Sequence, residues 1–472
     1  MVDSGRRRLL RHGLVAAGGL GLGGAGLWQL MHPGEPLPVH PASGPLQPAA
    51  DANTGLEILQ LPAGFRYRTL AWAGAPLADG YAGPGAADGM GVVADRDGVV
   101  TLVRNHELKG TRVPMGDPKK AWDVTGGGTT TLTFDIRTER LLDSRISLGG
   151  TLNNCSGGVT PWGTWLSCEE APVTPALLHY GLPMRQWRWH VDTARKPHGY
   201  VFEVRPEGEA QPQPIVSMGQ FYHEAAAVHP ASGIVYMTED NSPDAGFYRF
   251  VPDTPGRLDA GGRLQMMQVH GRTELKKHLP LQQPLAFSWV DIEKPEQGHS
   301  PGTHDCAGVV RQGLAAGATA FVALEGCTCR DNAVYFTSKS GGAGTAGQIF
   351  RVDLEHNTLA LIYEAADVNG FSGPDNLVVS PGGSLMVCED RAGIMTGAQR
   401  IAWLDTAGRL FAFCQVNPRI EGRYGGFDLR DTVLGSEWSG ACFSGDGRWL
   451  FANIYNPGIT VAITGPWDTV PI

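Results

Sequence analysis

The chain has 472 residues, 42% hydrophobic and 18% charged, the composition of an ordinary soluble globular protein of low surface charge. Its 47 acidic residues outnumber its 38 lysines and arginines, for a formal net charge of −9. That balance argues against nucleic acid as the main partner, because a phosphate backbone recruits lysine and arginine.

In chain order, the first predicted element is an export signal. Arg6, Arg7 and Arg8, two leucines and Arg11 precede a small and apolar run from Gly13 to Leu30. A basic stretch followed by an apolar one is the layout of a secretory leader, and the paired Arg6 and Arg7 match the twin-arginine type. Residues 1–30 are therefore expected to engage the twin-arginine translocon, which moves folded proteins out of the cytoplasm. The protein would be periplasmic or secreted, or tethered by its N-terminus if the leader stays uncleaved. Residues 31–53, rich in Pro, Ala and Gly, are expected to form a linker. Residues 54–472 are expected to form one domain.

Within that domain, 65 glycines and 33 prolines across the chain and few long apolar stripes of helical period point to short strands joined by turns. One unit recurs, an apolar strand running into polar or acidic residues. It occupies Thr101–Glu107, Thr164–Glu170, Ile234–Asp240, Ala333–Lys339, Ser384–Asp390 and Trp449–Tyr455. Several copies follow a similar turn, as at His229–Gly233, Ser380–Gly383 and Ser444–Gly447. A second, alternating strand follows most copies, at Thr130–Ile136, Tyr200–Val204, Gly246–Phe250, Gln348–Asp353 and Arg400–Asp405. Recurrence of one unit is the signature of radially repeated sheets, so the expected fold is all-β, a six-bladed β-propeller with inserted loops and short helices. Residues 171–199 and 254–320 are the expected insertions; a large β-sandwich would explain the strands but not their recurrence.

In a propeller, equivalent strand ends surround a common channel, so the acidic ends of these units should converge. The candidates are Glu107, Glu170, Glu239 or Asp240, and Glu389 or Asp390. Like charges so placed repel and are costly to desolvate unless cations neutralise them, and calcium accepts many hard oxygen ligands. Glu224 and Glu437, each near a strand of the repeat, could join the ring. Cys155, among turn residues before the Thr164–Glu170 strand, reads either as a transition-metal thiolate or as a buried structural thiol. The other seven cysteines, Cys327 and Cys329 included, carry no zinc-knuckle spacing. Arg391, Arg330 and Lys339 are the basic candidates for contacting phosphate, or for pairing with neighbouring carboxylates.

Taken together, Asn105-His106-Glu107, Asn154-Cys155 with Gly157-Gly158, Thr160–Thr164, Cys168–Glu170, Gly219–Glu224, Pro374–Asn376, Cys388–Asp390 and Glu437 with Gly440 resemble the PhoX alkaline phosphatase family over nearly all of the mature chain. The resemblance implies hydrolysis of small phosphate monoesters at a centre of about two Fe3+ and about three Ca2+ ions on a six-bladed propeller. It implies Cys155 as the cysteine that contacts iron, Glu170 and Glu224 as metal carboxylates, and Glu389, Glu437 and Glu107 as further ligands. Cations would also explain how an acidic chain handles an anionic substrate. The Asn241–Gly246 segment departs from the family pattern, where a loop richer in arginine and acid is expected. No obligate protein partner is evident. A calcium-stabilised binding protein and a calcium-dependent lactonase or phosphotriesterase are the rival readings, since propellers host unrelated functions.

Overall fold

A computed structural model describes residues 37–110, 113–174, 194–209, 211–303, 305–368, 370–390 and 398–470. The leader, most of the expected 171–199 insertion and Arg391 therefore lie outside the described residues. The fold is all-β and propeller-like, with only short helices such as Gly308–Ala315 among the described residues.

Six innermost strands organise it: β1 (Ala87–Arg96), β2 (Asn154–Val159), β3 (His223–Val228), β4 (Leu324–Arg330), β5 (Pro374–Val379) and β6 (Trp438–Phe443). Each packs beside the next, and β6 packs beside β1, so the series closes on itself. Each also pairs antiparallel with the following strand in the chain, and these partners are the repeated units seen in the sequence: Val99–His106, Trp165–Glu169, Val235–Glu239, Ala333–Ser338, Leu385–Glu389 and Trp449–Ile454. The alternating strands of the sequence lie third, and the sixth sheet supplies Ile459–Thr464 in that place. Its outer strand is Arg66–Trp72, from the opposite end of the domain, with Trp72 opposite Ile459 and Arg66 opposite Thr464. That pairing ties the two ends of the domain together in one sheet.

Two expected boundaries shift. Residues 254–320 are not only decoration: Gly262–Val269 and Leu285–Asp291 extend the β3 sheet, and Leu285 and Ala286 pair with Leu359 and Thr358 of the β4 sheet to give nine continuous strands. The expected linker is also partly built into the fold. Gln47–Ala49 pairs with Leu59–Leu61, which joins the β5 sheet, and the His40 ring lies 4.5 Å from that of Trp403. Buried Asp51 accepts hydrogen bonds from the amides of Asn53, Thr54 and Thr69, so this polar stretch holds its place by hydrogen bonds rather than by bulk.

Alternating side chains fill the spaces between neighbouring sheets. Between the third and fourth, Phe336 stacks on Phe247 at 4.3 Å and on Phe350 at 5.0 Å; between the fifth and sixth, Trp403, Phe413, Trp438, Leu450 and Val461 are fully buried. The innermost strands need small residues because they approach one another closely. A Cβ on Gly89 would lie 2.5 Å from Ser156 Cα, and one on Gly326 would lie 2.7 Å from the Asp375 carbonyl oxygen.

Candidate metal centre

Register sets the site. For all six innermost strands the ladder to the following strand is irregular near the start of the innermost strand, between Ala87 and Met90, Asn154 and Gly157, His223 and Ala226, Leu324 and Cys327, Pro374 and Leu377, and Ser439 and Cys442. Bulges of this kind re-aim side chains. The second residue of each innermost strand is Asp88, Cys155, Glu224, Glu325, Asp375 or Ser439, and the residue just after each second strand is Glu107, Glu170, Asp240, Lys339, Asp390 or Tyr455. The antiparallel pairing brings these two sets to one end of the ring.

Ligand atoms of Asp88, Glu107 and Cys155 lie within 4.8 Å of one another, as do those of Cys155, Glu170 and Glu224, and those of Glu224, Glu325 and Asp375. Cys155 and Glu224 thus each belong to two adjoining groups. Cys155 Sγ is 3.4 Å from Asp88 Oδ2, and Asn153 donates to Glu170 Oε2 at 2.9 Å. Among the described residues two ammonium groups answer this charge. Lys109 pairs with Glu107 at 2.6 Å; Lys339 pairs with Asp390 and lies 3.6 Å from both Glu325 and Asp375.

The electrostatics record how poorly protein groups alone satisfy the cluster. Burial, then repulsion from neighbouring carboxylates, pushes Asp88, Glu224, Glu325 and Glu437 well above the carboxylate range. Burial and Asp240 do the same to Glu170, and Asp375 is pushed up to about 7. Burial, then Asp88 and Glu224, raises the Cys155 thiol. Burial opposes the charge of Lys339, but Asp390, Glu325 and Asp375 outweigh it and hold its pKa above the lysine range. Most telling is Glu224, which is 1% exposed with neither carboxylate oxygen hydrogen-bonded, while buried Glu325 Oε1 has no hydrogen bond and only the Lys339 ammonium 3.6 Å away. Buried polar atoms are nearly always satisfied, so the donor set fits bound cations. The two groups containing Cys155 suit a transition metal, and the all-oxygen group of Glu224, Glu325 and Asp375 suits a hard ion such as calcium.

Several expectations need revision against this geometry. Glu239 and Glu389 are the last residues of their strands, one before Asp240 and Asp390, and alternation turns them away from the channel. Glu239 accepts from Tyr248 Oη at 2.7 Å and from the Gly246 amide at 2.8 Å; Glu389 takes Arg400 Nε at 2.8 Å and Nη2 at 2.6 Å. Both hold the fold instead. Arg330 ends β4, five residues beyond Glu325 and therefore roughly 17 Å away along the strand, where it donates to the carbonyls of Ser380 and Pro381. It is not placed to meet a ligand at the cluster. Asp88, Glu325, Asp375 and Lys109 were not expected. A signal for three of them exists: an acid followed by Gly or Asn, ahead of a repeated strand, as in Asp88-Gly89, Glu325-Gly326 and Asp375-Asn376. None of the eight cysteines is in a disulfide.

A propeller-like all-β fold whose channel gathers carboxylates and one thiol defines the class of a metal-dependent enzyme. The family model of alkaline phosphatase PhoX matches residues 42–134 and 128–458, and the chain belongs to that family. It is accordingly a phosphatase that hydrolyses phosphate esters in a metal-dependent reaction. Among solved structures, PhoX of Pseudomonas fluorescens in complex with vanadate, a transition-state analogue, is 20% identical with a TM-score of 0.65, covering 91% of this chain and 98% of that one. The gluconolactonase XC5397 of Xanthomonas campestris is 13% identical with a TM-score of 0.44, covering 91% of this chain and 99% of that one, which is too remote to bear on activity. No curated protein matches the chain significantly.

Proposed function

We propose that this phosphatase acts on small phosphate monoesters at the channel cluster, with about three Ca2+ and about two Fe3+ ions held there. The observation that carries the reading is Glu224, whose two unpartnered oxygens sit between the thiol-containing group and the all-oxygen group. Cys155 with Asp88, Glu107, Glu170 and Glu224 would hold iron, and Glu224 with Glu325 and Asp375 would hold calcium. Asp240, Asp390 and Glu437 border the same cluster and complete its negative lining. When bound, the cations supply Lewis-acid stabilisation of phosphate oxygens and offset the carboxylates.

The protein's own groups account for the rest. Lys339 and Lys109 keep their charge and retain some exposure, 23% and 21% of their side chains, so each can steady an anionic ester entering from solvent. Tyr455 has its phenol pKa raised by burial and by Glu107, stays protonated, and can donate a hydrogen bond. Glu107, 7% exposed, positions Lys109 through their ion pair. Glu224→Gln keeps the side chain's shape but removes its charge. We expect it to lose most bound metal and at least tenfold in hydrolysis of a chromogenic phosphate monoester; a folded variant with normal metal content and turnover would overturn the reading.

Six blades are part of the same proposal, supported by the closed series of six innermost strands. So is export by the twin-arginine translocon to the periplasm or beyond, supported by Arg6, Arg7 and the apolar run after them.

A further inference from the structure

The irregular start of each innermost strand leaves peptide groups that its own ladder does not align, and at four of them an amide or hydroxyl side chain from the preceding sheet meets them. Asn105 Nδ2 donates to the carbonyls of Ser156 at 2.6 Å and Cys155 at 3.3 Å. Thr238 Oγ1 donates to the Glu325 carbonyl at 2.5 Å and accepts from the Ala225 amide, next to Glu224, at 3.1 Å. Thr337 Oγ1 donates to the Asp375 carbonyl at 2.7 Å, and Asn453 Nδ2 donates to that of Asp88. All four are fully buried and stand two residues before the end-of-strand positions Glu107, Asp240, Lys339 and Tyr455. Cys168 and Cys388 hold the same position in the two remaining sheets.

We propose that Asn105, Thr238, Thr337 and Asn453 are positioning residues for the metal centre, each clamping the backbone of the ligand-bearing residue in the next sheet. The reading rests on the proposed ligand roles of Cys155, Glu325, Asp375 and Asp88. A bulged residue can swing about its peptide, and its side chain swings with it; a hydrogen bond to its carbonyl fixes that plane. Each clamp also bonds two sheets together, so the ring presents its ligands as one preformed cage. Thr238 is the strongest case, since one hydroxyl fixes the backbone beside Glu224 and that of Glu325, and both carboxylates belong to one candidate group.

The test compares Thr238→Val with Thr319→Val by calcium titration of chelator-treated protein and by thermal unfolding of the same samples. Thr319 is equally buried and uses its hydroxyl on the Val269 amide and Arg272 carbonyl, neither of which belongs to a ligand-bearing residue of the cluster, so it reports the bare cost of losing a buried hydroxyl. Thr238→Val should bind calcium ten- to a hundredfold more weakly, the effect usual for groups that orient metal ligands. Thr238→Ser should recover wild-type affinity, and Thr319→Val should keep it. Thr337→Val should show the same loss and serves if Thr238→Val does not fold. Wild-type calcium affinity in folded Thr238→Val or Thr337→Val overturns the positioning role while leaving the metal centre standing. Absence of calcium binding by the wild type in the same titration overturns both.

Discussion

At the scale of single residues, Cys155 separates the chemistry of this centre from that of an all-carboxylate calcium site. Burial and nearby Asp88 and Glu224 hold its thiol protonated in the bare protein, so a strongly polarising transition-metal cation would be needed to turn it into a thiolate ligand. Cys155→Ser should therefore lose iron and hydrolysis together. Cys414 lies fully buried in the apolar packing between the fifth and sixth sheets, and Cys414→Ser should keep both while losing some stability. Iron content measured beside turnover decides it; normal iron in a folded Cys155→Ser protein would refute the ligand role. Sequence could point to Cys155, Glu170 and Glu224 because each stands beside a recognisable strand. It could not choose between Glu239 and Asp240, or between Glu389 and Asp390. Those neighbours point to opposite faces, and a shift of one residue in register exchanges them. Asp88 and Glu325 went unread because their innermost strands are rich in small residues and lack the alternation by which strands are recognised, while Asp375 stood in the Pro374–Asn376 motif without being given a role.

At the scale of elements, the carboxylates that turn away from the channel have structural work of their own. Glu169, just before Glu170, accepts from His198 Nδ1 at 2.7 Å and from the amides of Leu152 and Gly199, while His198 Nε2 lies 3.2 Å from Asp123. Burial alone would lower the His198 pKa, but Glu169 and Asp123 outweigh it and raise it to about 9. A histidine whose folded pKa is raised stabilises fully below its unfolded value of about 6.5 and stops doing so as pH rises through about 9. The shift corresponds to roughly 3 kcal/mol. The Tm gap between wild type and His198→Gln should thus be widest near pH 6 and close by about pH 10. A gap that does not change with pH would show that the His198 pKa is the same folded and unfolded, and one that narrows below about pH 6.5 would show that His198 is neutral in the folded protein. The repeated strands were legible from the sequence because apolar runs ending in acid recur. The joining of the β3 and β4 sheets was not, since Ala286 and Thr358 meet across a long stretch of chain and no local pattern announces the pairing.

At the scale of the whole molecule, the fold solves a problem of charge. An acidic chain gathers carboxylates from every sheet but the sixth onto their inner ends, and Glu437 adds one from just before β6. Such a ring is stable only with cations in it, and the same cations make the channel attractive to a phosphate ester. The proposed twin-arginine route would suit this design because it carries proteins already folded. Replacing Arg6 and Arg7 with lysine should leave the protein in the cytoplasm with its domain intact, and normal export of that double variant would contradict the route. The most direct test of the account is elemental analysis of the wild-type protein isolated in active form from its native host. The account predicts calcium and iron together, in stoichiometric amounts. Fully active protein that contains calcium but no iron would contradict it.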